Sequence, residues 1–326
     1  MNSPLARIIL IVLGGYFVIM LFLTAYDWIK EEYPSPPTKP PNTERIQHPF
    51  YHKQAVDALQ RYSQLPKQER DAIKNNLISG LIPIEQWLSY LEQSDYQIMC
   101  IGEFHEESTR NFLAEVFFAK FSVDVLLLEA TAKELKRLFK RMNDGRAYFP
   151  LLDADIMNIL RTVRAKNPDI EIWGIEETDK QHNEQRDQAG SRDKSIARNF
   201  WKRFQPMMRH IILFGAIHCT NESSWLFENL NSQASLFLKE RMLNAQVLEE
   251  HQNGALEAFI FFLDEIGMEK KNFVIPDTKA LNPRIYEFFQ SLNSQILAKV
   301  RTLIVFRIYP PTEDANQQAY HRSYRR

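Results

Sequence analysis

The pattern of apolar and polar positions changes along the chain. Between about residues 51 and 94, apolar side chains recur at intervals of three and four, as in PIEQWLSYLEQS, which predicts a series of helices. Beyond residue 95, short continuous apolar runs alternate with helix-length segments. These runs are YQIMCIG, VDVLLLEA, IEIWGIEE, HIILFGAIHC, KNFVIP and TLIVFRIY.

Runs that are apolar on both faces are typical of strands buried under helices on both sides of a sheet. Their alternation with helical segments predicts an α/β fold with a mostly parallel sheet sandwiched by helices. We expect a single domain of this kind over residues 45–309, beginning with the helical segment, and a polar C-terminal tail over residues 310–326.

The N-terminal end of the chain has a different pattern. Residues 8–26 carry no charge over 19 positions, and a helix of that length spans roughly 28 Å, close to the thickness of the hydrocarbon core of a bilayer. The run is longer than the apolar part of a secretory signal peptide, and LTAY is a poor cleavage site. We therefore expect residues 1–32 to be an uncleaved, single-pass membrane anchor. A cleaved signal peptide and a buried core helix are the alternatives.

Flanking residues indicate how this anchor is oriented and connected. Arg7 and the terminal amine precede the apolar run and favour a cytoplasmic N-terminus. The bulk of the chain would then be extracytoplasmic, in the periplasm if the cell is Gram-negative. Residues 33–44 contain five prolines and no apolar pattern, which predicts an extended linker between anchor and domain.

Composition narrows the classes of function. The formal net charge of -1 lacks the basic excess of nucleic-acid-binding proteins, so we expect no nucleic-acid partner. Two cysteines, Cys100 and Cys219, are too few for a disulfide framework. Two small buried thiols are the expectation for them, and a single bridge is the alternative.

Charged and imidazole side chains follow four of the predicted strands, at the carboxyl ends where parallel sheets bind ligands. Any one of them could instead be a solvated loop residue or a hydrogen-bonded structural residue. Adjacent side chains in an extended chain point in opposite directions, so only one of the third run's two glutamates is expected to face the site. The residues are Glu103 and His105 after the first run, Glu129 after the second, Glu176, Glu177 and Asp179 after the third, and His218 after the fourth.

A further candidate lies in the segment RDKSIARN, residues 192–199, which predicts the start of a helix. Arg192 would occupy the first turn, where the helix dipole disfavours a cation. This position suggests that Arg192 pairs with a carboxylate of the site. A solvated arginine in a charged stretch is the alternative.

These motifs, in the order GEFH, LLLEA, GIEETD, RDKSIARN and GAIH, resemble those of the superfamily that contains erythromycin esterases, ChaN-type haem-binding proteins and TIKI-type metalloproteases. The resemblance covers residues 84–219. The family pattern is Gly-Glu-x-His, a Glu after the next strand, Arg-(Asp/Asn)-x-x-Met-Ala-x-Asn on a helix, and Gly-x-x-His. It maps onto Glu103, His105, Glu129, Arg192 and His218, with Asp193, Ala197 and Asn199 completing the helix motif and Ile196 replacing the methionine.

The resemblance implies an α/β sandwich but no single activity. The first hypothesis is a hydrolase of ester or peptide bonds with Glu103, His105, Glu129, Arg192 and His218 as catalytic residues. A histidine would activate water, oriented by Glu103 or Glu129, and Arg192 would hold a carboxylate or stabilise negative charge. A metal-dependent version would use His105 and His218 as ligands of Zn, Mn or Fe, with a carboxylate.

Two other hypotheses stay open. The chain could bind haem, in a role such as haem uptake, or another small molecule without turnover. It could be an inactive membrane scaffold whose motif residues form a salt-bridge cluster. A serine hydrolase is disfavoured because the chain has no Gly-x-Ser-x-Gly elbow, and a cysteine nucleophile would have to be Cys219. The region beyond residue 221, with two further predicted strands, is expected to line the substrate pocket.

Overall fold

The structure is a computed structural model that describes residues 49–143, 154–184, 190–250, 253–268, 272–291 and 299–307. These residues belong to one compact unit, Arg45–Arg326. The predicted anchor, the linker and the C-terminal tail lie outside the described residues. Within the described ranges, no helix combines the length and the apolar character needed to cross a membrane.

An eight-stranded sheet forms the centre of the domain, in the spatial order β1-β7-β8-β6-β2-β5-β3-β4. The neighbours from β8 to β4 pair in parallel, whereas β7 is antiparallel to both β1 and β8. The mostly parallel α/β sheet predicted from the sequence is therefore confirmed. The strands are β1 Ile82–Pro83, β2 Ile98–Glu103, β3 Val125–Leu128, β4 Glu171–Gly174, β5 His210–Gly215, β6 Met242–Glu249, β7 Phe273–Ile275 and β8 Thr302–Phe306.

Helices cover both faces of the sheet. The predicted helical segment before β2 forms α1 to α3, and RDKSIARN begins α8, as expected. The α-helices of four or more residues are α1 Pro49–Gln64, α2 Lys67–Gly80, α3 Ile84–Gln93, α4 Glu107–Phe112, α5 Ala132–Asn143, α6 Ala154–Lys166, α7 Asp179–Glu184, α8 Ser191–Trp201, α9 Leu226–Gln233, α10 Leu236–Lys239, α11 Gly254–Glu265 and α12 Pro283–Ser291. After α4 the chain continues as a π-helix, Leu113–Phe117, and a final helical turn, Phe118–Lys120.

Alternate side chains of each central strand enter different apolar clusters, because successive residues of a strand point to opposite faces. On β2, Met99 and Ile101 join the cluster beneath α3 to α6, whereas Ile98 and Cys100 join the cluster beneath α8 and α9. A third cluster packs α1, α2, α11 and α12 against β7 and β8. Burial on both faces explains why these strands read as continuous apolar runs.

One central strand was missed by the sequence analysis. β6 lies between β2 and β8, and seven of its eight residues are buried. Asn244 and Gln246 interrupt its apolar run, so the segment MLNAQVLE resembles a half-exposed stretch rather than a buried strand. Both amides are buried in the structure.

The two cysteines form a disulfide, so the expectation of two free thiols was wrong. After Gly215 the chain does not continue as a strand but turns into a 3-10 helix, Ala216–Cys219. This turn brings Cys219 over the sheet, with its Cα 5.4 Å from that of Cys100 on the neighbouring strand β2. A thiolate nucleophile at Cys219 is thereby excluded in this structure.

Candidate active site

The carboxyl ends of four neighbouring strands, β2, β5, β3 and β4, meet at one edge of the sheet. Charged or imidazole side chains stand at or just after each of these ends, and the first turn of α8 adds an arginine. The structure therefore brings together all five side chains that the sequence analysis selected, together with one glutamate of the third run. The cluster consists of Glu103, His105, Glu129, Glu176, Arg192 and His218.

His105 lies in a tight turn after β2. Its φ of 57° is in the left-handed region, which non-glycine residues rarely adopt. The turn folds the residue back on Glu103, whose carboxylate accepts from the backbone N–H of His105 and lies 2.7 Å from its Nδ1. The Nε2 of His105 is 3.4 Å from Glu129 Oε2, and the side chain is 46% exposed. His105 is therefore the imidazole that a substrate can reach.

Arg110 on α4 completes this side of the site. Glu103 is 2% exposed, and its Oε1 accepts from Arg110 Nε at 3.1 Å. Arg110 Nη2 also lies 2.8 Å from His105 Nδ1. The two neighbours make opposite demands on this nitrogen, since a carboxylate can only accept and a guanidinium can only donate. The raised pKa of His105, about 9, places a proton on both ring nitrogens at neutral pH, so its Nδ1–H donates to Glu103 and the approach of Arg110 is not a hydrogen bond. The sequence analysis missed Arg110, since an arginine in a short charged helix resembles a solvated residue.

The protonation states of this side follow from the hydrogen bonds. The hydrogen bond to Glu103 and, to a smaller extent, the one to Glu129 raise the pKa of His105 to about 9, although burial opposes the shift. His105 is therefore an imidazolium at neutral pH. Burial alone would raise the pKa of Glu129, but hydrogen bonds from His105, Arg192 and the Gly215 N–H outweigh it and hold that pKa well below its usual range.

His218 is the second imidazole, and it is 5% exposed. Its Nδ1 lies 2.8 Å from Asp193 Oδ2, and its Nε2 lies 2.9 Å from Arg192 Nη1. A guanidinium can only donate, so Nε2 accepts and the Nδ1–H donates to Asp193. His218 is thus assigned as a neutral imidazole. Asp193, which the sequence analysis treated only as part of a helix motif, is the carboxylate that orients it.

Arg192 links the two sides of the site. Its Nε and Nη2 donate to Glu176 at 3.0 and 2.6 Å, and Nη2 also donates to Glu129 at 2.6 Å. The prediction that Arg192 pairs with a carboxylate of the site is confirmed. Burial by itself would lower the pKa of Arg192, but these hydrogen bonds raise the pKa by more than burial lowers it. Arg192 therefore stays positively charged. With Nη1 bonded to His218, four of the five N–H donors are used.

The remaining acidic candidates make no contact with the cluster among the described residues. Glu177 lies next to Glu176 but its Oε1 is 2.9 Å from His182 Nδ1, so only Glu176 faces the site, as expected. Asp179 is exposed at the start of α7. The third run therefore contributes one glutamate to the site.

Gly102 and Gly215 are the glycines of the GEFH and GAIH motifs, and neighbouring side chains lie close to both. Neither has a positive φ. A Cβ on Gly215 would come 2.9 Å from His105 Nε2, and one on Gly102 would collide with the side-chain amide of Gln246. Both positions lack a side chain because neighbouring side chains occupy that space.

The proposed metal ligands do not fit an ion in this arrangement. The Nε2 of His218, one of two nitrogens that would bind the ion, accepts from the guanidinium of Arg192. A divalent cation bound to this nitrogen would lie next to the positively charged guanidinium of Arg192 and be repelled by it. Among the described residues, no group of three His, Cys, Asp or Glu side chains is arranged to hold a metal.

The chain matches no protein-family model and no curated protein sequence. A Bacillus cereus protein of known structure aligns over 73% of this chain and 97% of its own, at 9% identity and a TM-score of 0.45. RRSP, a MARTX toxin effector domain from Vibrio vulnificus, aligns over 62% of this chain and 42% of its own, at 17% identity and a TM-score of 0.34. A structure of bacterial protein toxins gives 15% identity and a TM-score of 0.35. These TM-scores are too low for the likeness to carry an argument.

Proposed function

We propose that this chain is a membrane-anchored hydrolase of the ChaN-like and TIKI-like kind, which cleaves an ester or peptide bond of a substrate. Its active site lies at the carboxyl ends of β2, β5, β3 and β4. One observation supports the proposal above all. A half-exposed imidazole, His105, is held between the carboxylates of Glu103 and Glu129. Arg192, which also bonds Glu129, has one Nη1–H without a partner among the described residues. The disulfide, which is typical of oxidising compartments, supports the proposed extracytoplasmic location.

His105 is the proton-transfer group in this proposal. Its Nδ1–H is held by Glu103, so Nε2 faces the accessible side of the site. In its neutral form, Nε2 takes a proton from a water molecule, and the water oxygen attacks the carbonyl carbon of the substrate. The imidazolium that forms is stabilised by Glu103 and Glu129. As the bond from the carbonyl carbon to the ester oxygen or amide nitrogen breaks, the imidazolium gives its proton to that leaving atom, so that a carboxylic acid and an alcohol or amine are released.

Arg192 is the group that stabilises the oxyanion. Its one remaining Nη1–H is not used within the cluster, and the side chain is 40% exposed. Glu129, Glu176 and His218 hold the guanidinium, so that this donor has a fixed direction before the substrate arrives. Such preorganised donors stabilise the negative charge that develops on the carbonyl oxygen.

The test is hydrolysis of a panel of simple esters and peptides by the purified full-length protein. We expect His105→Gln to lower kcat/KM by about 10²–10⁴-fold, the usual contribution of general acid–base catalysis. His182→Gln is the matched control, because His182 is an exposed histidine that also bonds a glutamate but lies outside the cluster. Equal activity in wild type and His105→Gln would refute the role of His105.

The pH dependence sharpens the same test. Because the pKa of His105 is raised to about 9, the neutral base is a minor species at pH 7. We expect kcat/KM to rise with pH and to level off near pH 9. A profile that falls through this range would contradict the assignment of His105 as the base.

The alternative function, a haem- or other ligand-binding protein without turnover, is tested on the same preparation. A Soret band that appears when haem is added, together with no hydrolysis of the panel, would favour it. An inactive scaffold predicts neither result, and predicts that His105→Gln changes stability alone.

A further inference from the structure

β6 carries two buried amides that the proposed mechanism does not use. Asn244 is 1% exposed and Gln246 is 0% exposed, in a strand that is otherwise apolar up to its last residue. Residues two apart on a strand share a face. Met242, on the same face, belongs to the apolar cluster beneath α8 and α9. Both amides therefore face the layer that contains the 3-10 helix of His218.

The amides bond opposite ends of this helix. Gln246 Nε2 donates to the backbone carbonyl of Ala216, the first residue of the helix. Asn244 Nδ2 donates to the carbonyl of Cys219, the last residue, at 2.8 Å. A 3-10 helix of four residues has few internal hydrogen bonds. Its position, and with it that of His218, must therefore be set by outside contacts.

Gln246 lowers the stability of the fold through a buried polar atom. Its Oε1 is buried and has no hydrogen-bond partner in the part of the chain that the structure describes. An apolar side chain of similar size would avoid this unmet acceptor. Gly102 on β2 must also lack a side chain, since its Cβ would collide with the amide of Gln246. Such violations of local packing rules concentrate at functional sites.

We infer that Asn244 and Gln246 are positioning residues, which fix the 3-10 helix so that His218 holds Arg192 in its oxyanion-stabilising orientation. The chain of contacts is continuous: Gln246 to Ala216, the helix to His218, and His218 Nε2 to Arg192 Nη1 at 2.9 Å. The catalytic consequence rests on the proposed function. The placement of His218 does not, and can be measured separately.

The test uses Gln246→Met in the full-length protein, which removes the amide donor and keeps the length of the side chain. Diethyl pyrocarbonate modifies accessible imidazoles, and peptide mass spectrometry gives a rate for each histidine. We expect the modification rate of His218 to rise several-fold while that of His210 is unchanged. His210 is equally buried, at the opposite end of β5, and therefore reports general loosening of the fold.

The matched control is Thr278→Val. Thr278 Oγ1 donates to the carbonyl of Val300 at 2.8 Å, so this variant also removes a buried bond from a side chain to a backbone carbonyl, but away from the 3-10 helix. We expect it to leave the His218 rate unchanged. If Gln246→Met does not fold, Gln246→Asn serves instead, because it keeps a buried amide and withdraws the donor by one methylene.

An unchanged His218 rate in a folded Gln246 variant would overturn the inference, as would an equal rise at His210 and His218. If the hydrolase activity is found, Gln246→Met should lower kcat by up to about 10²-fold with little change in KM, since a small misplacement of a catalytic group has that effect. Faster labelling of His218 with unchanged kcat would overturn the catalytic part alone. Absence of hydrolysis by the wild type would refute the proposed function, but the labelling result would still test whether Gln246 fixes the position of His218.

Discussion

The two imidazoles of the site are held in place by different kinds of interaction. His105 lies in a turn fixed by charges, with Glu103, Glu129 and Arg110 around it. His218 lies in a short helix fixed by a disulfide and by the neutral amides of β6. The turn of His105 is fixed through ionised groups, whereas the helix that carries His218 is fixed through a covalent bond and neutral amides, although the His218 ring itself bonds the charged Asp193 and Arg192. The two halves of one site should therefore respond to different perturbations.

A large effect on stability is expected on the charged side. Arg110→Met removes the guanidinium from the buried carboxylate of Glu103, which keeps His105 as its remaining cation, and should lower the free energy of unfolding by about 3 kcal/mol. Denaturant unfolding measures the change. Arg284→Met is the matched control, because it removes an exposed ion pair with Glu69, for which about 0–1 kcal/mol is expected. Similar losses in both variants would show that burial of the pair does not matter.

The corresponding change on the covalent side is removal of the disulfide. The bridge joins residues 119 apart in sequence, and the double variant Cys100→Ala/Cys219→Ala should lower the free energy of unfolding by about 2–5 kcal/mol. Reductant should lower the melting temperature of the wild type and leave that of the double variant unchanged. If reductant has no effect on the wild type under unfolding conditions, the bridge contributes nothing.

The pH dependence of stability should come from the His105 side. The pKa of His105 is about 9 in the folded chain and about 6.5 in an unfolded one. The folded state therefore binds more protons in this range, and its stabilisation is complete below pH about 6.5 and is lost as pH rises through 9. Unfolding free energies of wild type and His105→Gln should converge toward high pH. A difference between them that grows with pH would contradict the sign.

The smallest effect on stability is expected where the two sides meet. Gly215→Ala would place a Cβ 2.9 Å from His105 Nε2, the end of a half-exposed ring that can move aside. We expect a loss of stability within about 1 kcal/mol and a loss of activity of up to about 10²-fold, because the ring leaves its productive position. Gly80→Ala is the control, since its Cβ would meet Leu281 at 3.0 Å in the apolar core. Equal activities of the two variants would argue against the position assigned to His105.

Sequence patterns identified the parts of the site that lie at strand ends. Glu103, Glu129 and His218 could be selected because each follows a continuous apolar run that forms a buried parallel strand. Arg110 and Asp193 could not, because their partners come from distant parts of the site and nothing in their local sequence differs from a solvated helix. The same limit applies to β6, whose amides are paired only after the chain has folded.

The sequence by itself determined the fold class, most of the strands and the residue types that gather at the edge of the sheet, because apolar periodicity is a local property that burial imposes on each segment. Tertiary structure alone decided the strand order, the pairing of Cys100 with Cys219 and the neutral state of His218. These depend on which distant segments become neighbours. Which segments become neighbours is decided by the packing of the whole sheet, and it cannot be read from any single segment of the sequence.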